Sequence, residues 1–205
     1  SGKSTLVQHL NGLLKPKKGH IIVGNVDITA ENVVMRDIRR KIGLVFQYPE
    51  YQLFEETVAK DVAFGPSNLG LTAEEVDERV REAIELVGLD YDKVKNLSPF
   101  DLSGGQKRRA AIAGVIAMKP EVLILDEPTA ALDPIAESEI YSDFHRIVQD
   151  KTALFISHRL SACRFSKDII VFCDGRIVQQ GNHEMLIGKE GLYRQMWNAQ
   201  AQYYE

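Results

Sequence analysis

The sequence predicts an α/β fold in which a helical subdomain is inserted into a mostly parallel core sheet. Three observations support this expectation. Short apolar runs alternate with helical patterns along the chain, as in parallel sheets whose strands are buried on both faces. Between residues 57 and 98, apolar residues recur at helical spacing with Glu and Arg between them. The chain also begins Ser1-Gly-Lys-Ser-Thr5 and continues into an apolar-periodic helix, which matches the closing half of the phosphate loop G-x-x-x-x-G-K-S/T.

The elements are expected in alternating order. The first half should contain a helix, two strands and the helical block, namely helix 4–14, strand 20–23, a strand ending the segment 39–46, and the block 57–98. The second half should contain helix 104–118, strand 122–125, helix 134–149 and strand 152–156. The runs 168–173 and 176–179 flank Asp174-Gly175, a pair that suits a type I′ turn and predicts a β-hairpin. A helix over residues 190–200 follows the hairpin.

Composition restricts the classes of function. The 205 residues are 44% hydrophobic and 26% charged, enough for a substantial core in one domain with or without a subdomain. The net charge of −4 gives no basic footprint, so no nucleic-acid partner is expected. Cys163 and Cys173 lack C-x-x-C spacing, which indicates neither a metal site nor a disulfide framework. The longest apolar stretch, residues 110–118, is far shorter than the roughly 18 residues that span a bilayer. Membrane contact is therefore expected only through a partner.

The first five residues match only the second part of a phosphate loop, whose first glycine would precede residue 1. Since the sequence also lacks an initial Met and a signal-peptide pattern, we expect an N-terminally truncated protein. In such a loop Lys3 reaches the β- and γ-phosphates, and the Ser4 hydroxyl is a ligand of Mg²⁺. Taken alone, the same residues also fit a polar helix cap.

Two further segments predict a phosphate site and a hydrolytic site. Asp101-Leu-Ser-Gly-Gly-Gln106 places a Gly-Gly pair at a helix start, where backbone N–H groups bind anions. Val122-Leu-Ile-Leu-Asp-Glu-Pro-Thr129 puts two carboxylates at the end of a buried strand, where alternation directs them to different sides. Asp126 would hold Mg²⁺ through water, and Glu127 would polarise the water that attacks a γ-phosphate. The alternative interpretation of these two carboxylates is that they only solvate the end of the strand.

Another strand end carries His158, which follows the apolar run 153–156 through Ser157. Considered alone, a histidine at such a place is more often structural than functional.

In this order, the motifs resemble the ATP-binding-cassette (ABC) ATPase family of P-loop NTPases, and the resemblance extends over nearly all of the chain. It implies that ATP and Mg²⁺ are cofactors, that Glu127 is the general base and that His158 senses the γ-phosphate. It also implies four groups of binding residues: Gly2, Lys3, Ser4, Thr5 and Gln47 for ATP; Ser4, Gln47 and Asp126 for Mg²⁺; the signature residues Leu102, Ser103, Gly104, Gly105 and Gln106 for the ATP of the opposite subunit; and Ala131, Leu132 and Asp133 at the dimer seam.

The two parts of the chain resemble different branches of this family. Residues 1–134, including Phe46-Gln-Tyr-Pro-Glu-Tyr-Gln-Leu-Phe54, look like the ATPase subunits of energy-coupling factor (ECF) importers, which take up vitamins and metal ions. Residues 135–205, including Lys151-Thr-Ala-Leu-Phe-Ile-Ser-His158, look like the ATPase domain of ABC exporters. We give the first part more weight, because in the family it forms the face that meets the membrane subunit.

The function expected from this resemblance is ATP hydrolysis that powers ECF-type uptake. An exporter ATPase is the first alternative, and a soluble ABC protein acting on ribosomes or DNA is a weaker one. A nucleotide switch with little turnover disagrees with the presence of Glu127 and His158.

The resemblance also implies an organisation and a location. Residues 1–56 and 119–205 would form the nucleotide-binding core, and residues 57–118 would form the helical subdomain with the signature helix. The expected partners are a second ATPase subunit, identical or different, and an integral membrane transporter subunit. The protein would lie peripherally on the cytoplasmic face of the cell membrane.

Overall fold

Two compact units make up the chain: Ser1–Gly19 with Ile156–Glu205, and His20–Phe155. The computed structural model describes residues 2–129, 144, 146–148, 151–164 and 166–201. The predicted helix 134–149 lies mostly outside these residues, although Phe144, Arg146 and Ile147 have helical backbone. The predicted division at residues 56 and 118 stays a prediction.

A sheet of order β3-β4-β5 lies at the centre of the second unit. Strands β3 (Ile42–Val45) and β4 (Val122–Asp126) are parallel, with Val45 opposite Leu125. Strand β5 (Thr152–Ile156) forms at the predicted residues and lies next to β4 in the sheet. All four residues of β3 are buried, because both faces of a parallel sheet are covered. The carboxyl ends of β3 and β4 therefore meet at one edge.

Helices of the predicted block pack beside this sheet. They are α3 (Val58–Ser67), α4 (Ala73–Leu86), α5 (Tyr91–Val94) and α6 (Gly104–Ile116). Thr72 and Glu75 form a capping box at the start of α4, which satisfies two N–H groups of the first turn. Helix α6 approaches β3 so closely that a Cβ on Gly43 would lie 2.8 Å from Val115 Cγ1, a distance that only glycine permits.

The region before β3 differs from the expectation. Helix α2 (Met35–Lys41), which was not predicted, precedes the predicted strand β3. The Arg39, Arg40 and Lys41 side chains in its last turn suit the negative end of the helix dipole. The expected strand 20–23 is shortened to β1 (Ile22–Val23), which pairs antiparallel with β2 (Val26–Asp27). Two further short 3₁₀ helices, Pro49–Gln52 and Pro99–Asp101, were not predicted.

The first unit combines the first helix with the last described elements. These are α1 (Lys3–Leu10), α7 (Leu160–Cys163), β6 (Ile169–Cys173), β7 (Arg176–Gly181), α8 (His183–Gly188) and α9 (Leu192–Ala201). Asp174 and Gly175 both have positive φ, 48° and 72°, which confirms the type I′ hairpin between β6 and β7. Helix α1 ends at Leu10, before the predicted residue 14. Tyr193 of α9 is completely buried with Leu160 and Leu186.

Helices of the described residues are all too short or too polar to span a membrane. Cys163 and Cys173 are both free thiols.

Candidate functional site

The edge formed by β3 and β4 brings Gln47 to Glu127. Because the two strands are parallel and in register up to Val45 and Leu125, the residues that follow them emerge side by side. Gln47 Nε2 donates a hydrogen bond of 3.0 Å to Glu127 Oε2. Two residues that the sequence predicts for one site are thus in direct contact.

Asp126 and Glu127 differ in backbone and burial. Asp126 is the last residue of β4 and is 8% exposed, whereas Glu127 is half-buried. Glu127 has a φ of 49°, a left-handed conformation that is uncommon for a residue other than glycine. The predicted strand alternation consequently does not extend to Glu127. Backbone strain of this kind costs on the order of 1–3 kcal/mol and concentrates at functional sites.

The signature segment begins helix α6 with a complete cap. Ser103 Oγ accepts from Gln106 N at 3.4 Å, and Ser103 N donates to Gln106 Oε1 at 3.0 Å. This reciprocal pair leaves other N–H groups of the first turn available to an anion.

The two glycines of this helix have no role in packing within the described residues. A Cβ at Gly104 or Gly105 would meet no atom within 4 Å, and neither residue has positive φ. Glycine costs helix stability, about 1 kcal/mol relative to alanine in a helix interior. Among the described residues, the small size of Gly104 and Gly105 thus leaves the helix start open to close approach by another group.

Residues 2–5, which the sequence predicts as part of a phosphate loop, lie in the first unit. Gly2 caps α1 with a φ of 85°, and Gly2 O accepts from Leu6 N at 3.0 Å. Lys3 is half-buried, whereas Ser4 and Thr5 are exposed. Residues 3–5 form the first turn of α1, so their backbone N–H groups have no partner within the helix.

The first unit also contains His158, between β5 and α7. The preceding Ser157 shapes the turn, since its Oγ accepts from Arg159 N at 2.9 Å. Burial raises the pKa of the Cys163 thiol at the end of α7, and the positive charge of Lys3 opposes this increase.

A buried ion pair, which the sequence did not reveal, ties the signature helix to the segment after Gln47. Arg108 Nε and Nη2 each donate to a different oxygen of Glu50 at 3.0 Å. The Arg108 side chain is only 2% exposed, which is unusual for arginine. Arg108 lies between Lys107 and Arg109 in sequence, where nothing distinguishes it as buried, and its partner is 58 residues away.

The structure describes some of the remaining predicted residues and not others. Leu102, two residues before the start of α6, is buried. The predicted seam residues Ala131, Leu132 and Asp133 lie outside the described residues. Within the described part of the chain, no group of three or more His, Cys, Asp or Glu side chains could hold a metal ion.

Residues 1–130 match the family model described as ABC transporter. The chain belongs to the ABC transporter family. Within it, the energy-coupling factor transporter ATP-binding protein EcfA2 of Clostridium tetani is 54% identical over 184 residues, which cover 88% of the chain and 64% of that protein. EcfA2 of Caldanaerobacter subterraneus subsp. tengcongensis is 58% identical over 181 residues, covering 86% of the chain and 63% of that protein. The chain thus spans less than two thirds of the length of these curated relatives.

Two solved ABC transporter structures are similar to this chain. The structure of cbiO1 from Clostridium perfringens, part of the ABC transporter complex cbiONQ, has a TM-score of 0.82 at 39% identity and covers 92% of this chain and 75% of that one. A bacterial Atm1-family ABC exporter with ATP bound has a TM-score of 0.79 at 33% identity and covers 98% of this chain and 35% of that one. Both matches confirm the predicted ABC ATPase fold, of the P-loop NTPase class.

The ECF similarity is not restricted to the first part of the chain. A match that covers 88% of the residues must continue well beyond residue 134, where the sequence begins to resemble exporters. This extent favours the ECF branch over the exporter branch.

Proposed function

We propose that this chain is the ATP-binding and ATP-hydrolysing part of a membrane transporter, most closely of the ECF uptake type for a vitamin or a metal ion. The contact of Gln47 with Glu127 carries the proposal, because it places an amide against a carboxylate at the end of a buried strand. The similarity to EcfA2 proteins supports the ECF branch.

Glu127 has the chemistry that the hydrolytic step needs. Phosphoryl transfer requires a residue that orients the attacking water and accepts its proton. The bond from Gln47 holds the carboxylate at Oε2, and a carboxylate has about four lone-pair sites, so it can also accept from a water molecule. Glu127 is assigned as general base, Lys3 as the cation for the β- and γ-phosphates, and His158 as the sensor of the γ-phosphate.

Oxygen atoms of three side chains have the chemistry that suits Mg²⁺, which prefers hard oxygen ligands and few carboxylates. Asp126 supplies a carboxylate and Ser4 a hydroxyl. Gln47 uses its N–H on Glu127, so its carbonyl oxygen can serve as the third. Bound Mg²⁺ would neutralise charge on the phosphate oxygens. Gly2 and Thr5 would complete the ATP contacts through the first turn of α1.

A second ATPase subunit is the proposed partner of the signature segment. The open space around Gly104 and Gly105 suits close approach by the ATP of another chain, with Leu102, Ser103 and Gln106 shaping the helix start. Ala131, Leu132 and Asp133 are assigned to the seam between the two subunits.

An integral membrane subunit is the proposed partner of an aromatic surface beside the 3₁₀ helix Pro49–Gln52. Tyr51 is 83% exposed, Phe54 58% and Phe64 53%, and the Phe54 and Phe64 rings contact edge to face at 5.0 Å. Large exposed apolar groups that cluster in this way mark interaction sites. Through this aromatic surface the protein would dock peripherally on the cytoplasmic face of the cell membrane.

Reconstituted vesicles test both parts of the proposal. The full-length protein, assembled with its membrane subunits, should support solute transport that depends on ATP. Phe54→Asp should abolish assembly and transport, while Ile177→Asp, a matched control at an equally exposed residue of β7, should leave both intact. Assembly that withstands Phe54→Asp would remove the aromatic surface from this role.

The exporter alternative is supported by the structural match to the Atm1-family exporter. The two alternatives differ in direction, because an importer moves solute toward the side of the membrane that carries the ATPase and an exporter moves it away. In vesicles with the ATPase and ATP outside, an importer should release enclosed solute, whereas an exporter should accumulate solute from the medium. Transport measured in such vesicles therefore distinguishes them.

A further inference from the structure

Helix α9 presents one polar residue on its buried face. Tyr193, Met196, Trp197 and Gln200 follow one another at helical spacing, and each is less exposed than residues 194, 195, 198 and 199 between them. The first three residues join the apolar cluster of the first unit. Gln200 ends this face.

The Gln200 side chain binds the backbone on both sides of Arg159. Gln200 Nε2 donates to His158 O at 2.5 Å, and Leu160 N donates to Gln200 Oε1 at 2.9 Å. The NH₂ group of the amide thus donates one hydrogen bond and its oxygen accepts the other, as the chemistry of an amide requires. The Arg159 side chain makes no cap bond at the start of α7, so the first N–H of this helix obtains its partner from α9.

Helix α9 is itself held firmly at its other end. Tyr193 N donates to Gln179 Oε1 at 2.9 Å, and the Tyr193 hydroxyl lies 2.9 Å from His183 Nδ1. The centre of the Trp197 ring lies 4.6 Å from that of His183. These contacts fix the helix before it reaches Gln200, so the amide is preorganised to meet the loop.

We propose that Gln200 is a positioning residue for His158, and that α9 thereby sets the place of the γ-phosphate sensor. His158 is exposed rather than packed in the core, and it lies in the loop whose backbone Gln200 binds. Gln200 fixes this backbone at the carbonyl of His158 itself. The inference rests on the proposed role of His158 in ATP hydrolysis.

Three variants of the full-length protein separate the two bonds. Gln200→Leu removes both but keeps a side chain of similar size, whereas Gln200→Glu can still accept from Leu160 N and cannot donate to His158 O. Gln195→Leu makes the same change on the exposed face of the same helix and is the matched control. We expect amide exchange of Leu160 to quicken about tenfold in Gln200→Leu only, corresponding to loss of one hydrogen bond.

Steady-state ATP hydrolysis provides the second measurement. In Gln200→Leu and Gln200→Glu, kcat should fall about three- to tenfold while KM for ATP changes less than about twofold, because the nucleotide still binds but its sensor is misplaced. Gln195→Leu should match the wild type in both. If Gln200→Leu fails to fold, Gln200→Glu decides the kinetic question.

His158→Ala distinguishes failure of this inference from failure of the proposed function. If His158→Ala is inactive while both Gln200 variants keep wild-type kcat, the positioning role is wrong and the function stands. If His158→Ala keeps full turnover, or the wild type hydrolyses no ATP, the proposed function fails and the positioning role fails with it. Unchanged exchange of Leu160 in Gln200→Leu also overturns the inference.

Discussion

Gln47 and Glu127 are 80 residues apart in sequence, yet the Gln47 amide donates to the Glu127 carboxylate at 3.0 Å. The parallel pairing of β3 and β4 produces this contact, because both strands end at the same edge. The donated hydrogen bond fixes the direction of the carboxylate. The sheet thus fixes one carboxylate at the proposed hydrolytic site.

Removing Glu50 should destabilise the protein strongly. Glu50→Ala takes the bidentate partner from buried Arg108, a change that typically costs about 3–5 kcal/mol. The double variant Glu50→Leu with Arg108→Met should recover most of this loss, because apolar residues of similar volume can replace a buried ion pair. Urea unfolding measures the free energy of unfolding of the single and the double variant.

The exposed pair Glu56 with Lys60 supplies the control. Glu56→Ala should leave the unfolding midpoint unchanged, since solvent screens such pairs. A Glu50→Ala midpoint equal to that of the wild type would contradict the importance of the buried pair.

Alkaline pH should destabilise the first unit through Tyr193. Burial raises the pKa of Tyr193 to about 12, whereas a phenol in an unfolded chain titrates near 10. Since the folded pKa is the higher one, the stabilising contribution is complete below pH ~10 and is lost as pH rises to about 12. Ultraviolet titration should show a late-ionising tyrosine that Tyr193→Phe removes. Identical titration curves for the wild type and Tyr193→Phe between these pH values would contradict the raised pKa of Tyr193.

Ser103→Arg should block the proposed site shared by two chains without harming the proposed phosphate loop of its own chain. Arginine at the cap of α6 adds bulk where the partner's ATP would lie. We expect normal ATP binding by the monomer but no ATP-dependent dimer and no turnover. Mixing this variant with Lys3→Ala should restore some activity, because one of the two sites then has an intact Lys3 and an intact signature. Dimers of Ser103→Arg that form with ATP would refute the shared site.

Sequence patterns predicted the elements that depend on turn residues, on helix caps and on apolar runs that alternate with helical segments. The parallel strands, the hairpin at Asp174-Gly175 and the signature helix were all expected, because apolar runs and turn residues determine them. The resemblance to the ABC ATPase family assigned the residues after β3 and β4, Gln47 and Glu127, to one site.

Features that depend on distant partners could not be predicted. Nothing near Arg108 in sequence identifies Glu50, and nothing near Gln200 identifies the carbonyl of His158. The left-handed backbone of Glu127 was also unexpected, because residues before proline are usually extended. Helix α2 was missed because Ile38 is its one buried residue, which gives no apolar periodicity.

Phosphate release by Glu127→Gln tests the hydrolytic assignment most directly. The glutamine carbonyl can still accept the bond from Gln47, so the geometry is kept while the base is removed. We expect unchanged ATP binding and a loss of steady-state turnover of about 10²-fold or more, roughly 3 kcal/mol of barrier. Retention of more than about a tenth of wild-type turnover would contradict the assignment of Glu127 as general base.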